Sequence, residues 1–322
     1  MLKTIMLACA AMLLSAAGVR ADDAYPTRPV RIIVASAPGG GTDAVGRYVA
    51  DLLSKALGKQ FYIENKPGAG NVLGTDAAAK SKPDGYTLLV TASTLTINPV
   101  MYRHLPYDSL KDFEPITQIV VMPNVLIVNP SVKATTVKEF IALAKKEPGE
   151  LTYASAGKGT NPHIAMELFN SMAGVNIRHI PYRGVGPALT DVVAGRVAAM
   201  NVNILSAKPQ VDGKTLRALG VTSAKRSPQM SDVPTIAESG LPGYKVEQWF
   251  GILAPAGTPQ PIVAKLHDTL KTLLHSDEAK KYFAAQGAEP VGNTPDEFRT
   301  LIREEIKTWT EVAKKAKIEP VD

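Results

Sequence analysis

Beyond its first 21 residues this 322-residue chain has no cysteine. The single Cys9 lies inside an N-terminal segment with the marks of a secretory leader. Lys3 is followed by apolar and small residues from Ile5 to Ala17, and Val19-Arg20-Ala21 forms a small-x-small cleavage site. A lipoprotein site at Cys9 is the competing reading, but it would leave almost no apolar segment ahead of the cysteine. Removal of residues 1–21 leaves a chain with no disulfide, thiol nucleophile or cysteine metal site. Its stability must then come from a large core, which about 300 residues can bury in one or two domains. Long apolar runs are missing too, since nothing after the leader approaches the ~20 residues that span a bilayer. Export to the periplasm of a Gram-negative cell is the expected destination. Basic blocks are equally absent. Without Lys3 and Arg20, 34 basic residues face 30 acidic ones, a net +4 with no Arg-rich arm. That balance argues against a nucleic-acid partner and suits a small anionic ligand.

The familiar catalytic patterns fail one by one. Ser155-Ala156-Gly157-Lys158 matches Ser-x-x-Lys, which needs its lysine one helical turn after the serine, and Gly157 and Gly159 oppose a helix there. Gly157-Lys158-Gly159-Thr160 hints at a phosphate loop. However, Thr152 stands where its first glycine belongs, and Gly159 replaces the magnesium-binding hydroxyl. No Gly-x-Ser-x-Gly elbow occurs. The five histidines never fall at His-x-x-x-His spacing, and His163 with Glu167 on one helix face reads as solvated side chains. No catalytic residue, metal site or cofactor is expected.

The chain does contain glycines and small hydroxyls at strand ends. Ala37-Pro38-Gly39-Gly40-Gly41-Thr42-Asp43 lies between a strand at 30–34 and an amphipathic helix at 42–57. Its uncovered main-chain N–H groups suit an anion, although a tight turn would need the same glycines. Ala92-Ser93-Thr94, Ser155 to Asn161 and Gly184 to Ala188 repeat the pattern. Strands and helices alternate along the chain, which predicts α/β layers with mostly parallel sheets. The β-rich stretch 113–129, broken by Pro123, reads as a strand pair crossing between two lobes. The return is expected at Lys225 to Pro234. The predicted units are residues 22–122 (lobe 1), 123–225 (lobe 2) and 226–322 (return segment and C-terminal helices of lobe 1), with a cleft between the lobes.

Seven blocks in order resemble the periplasmic solute receptors of tripartite tricarboxylate transporters, the Bug receptors. They are Ala37–Asp43, Glu64-Asn65-Lys66-Pro67-Gly68-Ala69-Gly70, Lys82-Pro83-Asp84-Gly85-Tyr86-Thr87-Leu88, Tyr153–Gly157, Pro181-Tyr182-Arg183-Gly184 with Pro187-Ala188, Val233–Glu238 and Leu253–Pro259. The resemblance implies an α/β, two-lobed, type II "Venus flytrap" fold hinged on crossing strands. It also implies a monomer that captures a small organic carboxylate, aromatic or dicarboxylic, and hands it to membrane permease subunits. Carried over by position, the ligand contacts would be Ser36, Ala37, Pro38, Gly39, Gly40, Gly41, Ala92, Ser93, Thr94, Ser155, Gly157, Thr160 and Asn161. Gly184, Val185 and Ala188 would shape the far end of the ligand. Relatives carry Pro and an aromatic where this chain has Ala35 and Ser36, which tilts the expectation toward a bulkier or aromatic acid. Asn203 is open between a neutral ligand selector and a strand-end amide bonded to backbone. The other readings are a ligand-sensing receptor for signalling, or an exported serine hydrolase using Ser155 or His163.

Overall fold

The computed structural model describes residues 25–182, 184–316 and 318–320, so the leader lies outside the described residues. The first strand, β1 (Val30–Val34), has Ile32, Ile33 and Val34 buried on both faces. It lies parallel between β2 (Phe61–Asn65) and β3 (Thr87–Ala92), which need helices on either side. One of these is α1 (Gly41–Leu57), whose buried Val45, Val49, Leu52 and Leu53 recur at helical spacing. A Cβ on Gly46 would stand 2.8 Å from Val34 Cγ2, so glycine lets α1 lie close on the sheet. The small-residue helix α2 (Val72–Ala79) leads into β3, and α3 (Thr94–Met101) leaves it.

Residues 113–128 form one continuous strand, β4 (Phe113–Val128), instead of the expected strand pair. Its first part pairs antiparallel with β9 (Glu247–Pro255), ending at Pro123↔Glu247. Its second part pairs antiparallel with β7 (Ala199–Asn203) and β8 (Arg217–Val221), beginning at Asn124↔Asn203. Pro123 has no N–H to give, and it sits where the strand changes partners. The proline therefore marks the crossing without breaking the strand.

The second lobe follows from β4 through α4 (Val137–Lys146), β5 (Thr152–Ser155), α5 (Asn161–Ala173), β6 (Arg178–Pro181), α6 (Val185–Val193), β7, α7 (Ile204–Asp212) and β8. Strand order is β2-β1-β3-β9-β4-β7-β5-β6, with β8 and β10 (Glu289–Pro290) also on β4. Pairing is parallel at β1–β2, β1–β3, β5–β6 and β5–β7. The middle of the sheet, from β3 to β9 to β4 to β7, is antiparallel. The expectation of mostly parallel sheets thus holds for each lobe's outer part and fails where strands cross between lobes.

Residues after β8 stay on the second lobe for some distance. Val221 N–H donates to Pro234 O and Val221 O accepts from Ile236 N–H, and Tyr244 is buried with its hydroxyl donating to Ala165 O at 2.9 Å. We therefore place the return crossing at 245–247 and not at 226. Helices α8 (Gln260–Leu274) and α9 (Asp277–Ala285) then pack on the first lobe. The last helix, α10 (Pro295–Ala316), buries Phe298 and Ile302 with Phe113 and Trp249. It also buries Trp309 and Val312 with Ile97, Met101 and Leu126. The result is the two-lobed α/β architecture that the resemblance implies.

Candidate functional site

A cavity of about 880 Å³ lies between the lobes. The first lobe contributes Ser36 to Val45, apart from Asp43, together with Gly70, Asn71 and Ala92 to Thr94. The second contributes Ala156, Thr160 to Pro162, Gly184 to Gly186, Leu189, Val202, Asn203, Leu205, Ser206 and Pro209. Met122, Gln248 and Phe250 come from the crossing strands β4 and β9, and Gln286 closes one edge. None of the described lining residues carries a charged side chain. Among the described residues, no group of three or more His, Cys, Asp or Glu is placed to hold a metal.

Without charged side chains, the cavity's polarity comes from helix starts. Helices α1, α3, α5 and α6 begin on it, and their N-cap residues Gly40, Ser93, Thr160 and Gly184 make no side-chain cap. The starts of α2 at Asn71 and of α8 at Pro259 also lack a side-chain cap, whereas those of α4 and α9 are filled. Thr136 accepts from Glu139 N–H at the start of α4, and Ser276 accepts from Ala279 N–H at the start of α9. Four first turns around one cavity thus start without a side-chain cap, and of the four only α1 has an acidic residue, Asp43, in its first turn.

The glycine turn is braced from within. Gly39 N–H donates to Asp43 Oδ2 at 2.9 Å, Arg47 Nε to the same oxygen at 3.0 Å, and Asn65 Nδ2 to Oδ1 at 2.9 Å. Burial alone would raise the Asp43 carboxyl. The bonds from Arg47, Gly39 and Asn65 outweigh it and hold the group below the usual carboxylate range. Gly39 therefore donates inward, and Gly40, Gly41 and Thr42 beside it line the cavity. A Cβ on Gly41 would stand 3.1 Å from Phe250 Cζ, so glycine lets the ring lie against the turn.

All the expected contact residues line this cavity except Ser155, Gly157 and Ala188. Ser155 is wholly buried. Its Oγ accepts from Gly157 N–H at 3.0 Å and meets His179 Nε2 at 2.6 Å, while Ala156 takes the wall position. Gly157 is turned into its own loop, where its carbonyl accepts from Thr160 Oγ1 at 2.7 Å. Ala188 is wholly buried on α6 in the cluster with Val192 and Val202, beside the half-buried, cavity-lining Val185 and Leu189. Burial drives His179 down to about 4 and His163, beside His179, to about 3, so both imidazoles are neutral. With Ser155 sealed behind the wall, the hydrolase reading loses its nucleophile.

Two of the lining asparagines also bond to the protein itself. Asn161 Oδ1 accepts from Asn124 at 2.7 Å, and its Nδ2 reaches Ser93 Oγ at 3.4 Å and Glu247 O at 3.3 Å. It ties the lobes together at the crossing. Asn203 Oδ1 caps α7 through Ser206 N–H at 2.9 Å, the backbone-bonded alternative, while the residue still lines the cavity. Sequence reasoning missed Asn71, Phe250 and the whole of α7. Asn71 has φ 75° and donates to Thr94 Oγ1 at 2.9 Å. Its signal was the preceding Gly68-Ala69-Gly70.

The model of the "Tripartite tricarboxylate transporter family receptor" matches residues 45–318. The chain is 39% identical over 316 residues to protein BugT of Bordetella pertussis, covering 97% of each. Among solved structures it resembles Rpa4515 of R. palustris with adipate at 38% identity and TM-score 0.84, over 92% of this chain and 100% of that one. It also resembles MatC of Rhodopseudomonas palustris with bound malate at 34% identity and TM-score 0.79, over 89% and 99%.

Proposed function

The chain belongs to the tripartite tricarboxylate transporter receptor family, a family of periplasmic solute-binding proteins and not of enzymes, and on that premise we propose how it acts. It works as a monomer in the periplasm after loss of residues 1–21, closes on a small organic carboxylate, and delivers it to the permease subunits of such a transporter. The observation that carries this reading is four uncapped helix N-termini opening on one cavity whose described lining residues carry no charged side chain. Such a cavity has donors for an anion and, among the described residues, no built-in counter-ion. The adipate and malate held by two similar proteins support the same class of solute.

The donors proposed for the carboxylate are the N–H groups of Gly40, Gly41 and Thr42, with the hydroxyls of Ser93 and Thr94. Each of these hydroxyl oxygens already accepts from an amide, Asn161 or Asn71, which leaves its proton for an acceptor in the cavity. Hydrogen bonds to a charged group contribute about 1.5–3 kcal/mol each. About four would account for roughly −8 kcal/mol, a micromolar Kd, before the cost of lobe closure.

The test is calorimetric titration of the purified protein with mono-, di- and tricarboxylates. Binding of at least one acid without turnover is expected, and silence across the series overturns the reading. Co-purification of the loaded protein with membrane permease subunits tests the delivery step.

A further inference from the structure

The polarity of the cavity is divided. Donors gather at the strand ends, whereas α6 and α7 each present an apolar pair one turn apart, Val185 with Leu189 and Leu205 with Pro209. Val202, at the end of β7, completes this wall. Leu205 is 49% exposed, and Leu189 and Val185 are half-buried. Apolar side chains facing an open cavity gain when an apolar body covers them.

Helix α7 has little to offer an anion. Its first turn is partly closed by the Asn203 amide, which takes Ser206 N–H, and Pro209 has no N–H. The uncapped start of α6 lies elsewhere, beside the start of α5. Strands β5 and β6 are parallel neighbours, Tyr182 N–H donates to Ser155 O, and a Cβ on Gly157 would stand 3.3 Å from Tyr182 O. The donors of α5 and α6 thus form one rim at Val185, and from there the apolar wall runs on to Leu189 one turn further along α6. A second carboxylate against Leu189, Leu205 and Pro209 would meet no cationic side chain among the described lining residues, which is strongly unfavourable. The cavity volume also falls in the range that encloses drug-sized ligands, well above the need of a four-carbon acid.

Resting on the carboxylate reading above, we infer that the solute carries one carboxylate on an apolar body of ring size or larger. The carboxylate meets the glycine turn and the helix starts, and the body lies on Leu189, Leu205 and Pro209. The test is titration of the purified protein with benzoate, phenylacetate and cyclohexanecarboxylate against malate, adipate and citrate. At least one of the first three should bind about tenfold more tightly than any of the second three. Leu189→Asn and Leu205→Asn should each weaken it by about tenfold. Leu205 is exposed enough that its variant keeps the fold, as the melting curve will show. Tighter binding of malate, adipate or citrate overturns the inference and leaves the carboxylate reading standing. Unchanged affinity in folded Leu205→Asn removes the wall from the site and overturns the inference. If none of the six acids binds, the carboxylate reading falls and the inference with it.

Discussion

Trp249 donates its indole N–H to Glu305 Oε2 at 2.8 Å, behind the cavity floor that its neighbours Gln248 and Phe250 help to form. Thr96 Oγ1 donates to the same oxygen at 2.7 Å, so one carboxyl of α10 joins α3 and β9. Desolvation, with like charge from Glu247, pushes Glu305 up to about 7, against the pull of the bonds from Trp249 and Thr96.

A pH dependence follows from that position. Because the folded value lies above the ordinary 4.5, this group's stabilising contribution is full below about 4.5 and is lost as pH rises through about 7. Urea unfolding should show lower stability at pH 8 than at pH 5. Glu305→Gln keeps an acceptor for Trp249 and Thr96 without the charge. It should flatten the profile and exceed the parent at pH 8 by about 2 kcal/mol, a figure discounted for partial exposure. A parent whose stability does not fall between these pH values contradicts the assignment.

The glycine turn separates folding from binding. Gly40 is in extended backbone at φ −85°, and a Cβ there meets only Ala37 O at 3.8 Å. Gly40→Val should therefore melt within about 1 kcal/mol of the parent, typical of a surface change. Solute affinity should fall by about tenfold or more as the side chain covers the donors of α1. Titration beside a melting curve checks both, and a folded variant of normal affinity would remove the turn from the site.

Asp43 should behave oppositely, as a residue of the fold. Asp43→Ala deprives Gly39, Arg47 and Asn65 of their acceptor and should cost about 2 kcal/mol. In the parent this contribution is present above the ordinary carboxylate range and disappears as pH falls through the depressed folded value. Chemical unfolding at neutral pH and near pH 3 measures the difference, which should shrink at the lower pH.

Ser155→Ala should expose no lost catalysis. It leaves Gly157 N–H and His179 without their partner, and a loss of about 1–2 kcal/mol in stability is expected. Ester hydrolysis by the parent that vanished in this variant would restore the enzyme reading.

The lobes were readable where the signal is local. The apolar run at Val30–Val34, the helical spacing of Val45, Val49 and Leu53, and the glycines between them needed no distant partner to be recognised. What depended on distant partners was not readable. Pro123 looks like a strand break until both halves of β4 are seen to find different neighbours on either side of it. Helix α7 hides behind Pro209 in its interior. Phe250 reads as an ordinary core strand residue, because only the approach of Gly41 places its ring at the turn. Ala188 shares a segment with Val185 and Leu189, and only the docking of α6 on the sheet decides which face looks inward.

Helix α10 has a mechanical consequence. It is anchored through Phe298 in one lobe and Trp309 in the other, about 16 Å apart along its axis at about 1.5 Å per residue. A rod fixed at both ends holds that distance constant whatever the solute does. The lobes are free to turn upon one another but not to part along the rod. Such a tie predicts that any opening of the cleft proceeds by rotation about the crossing strands and not by separation along α10.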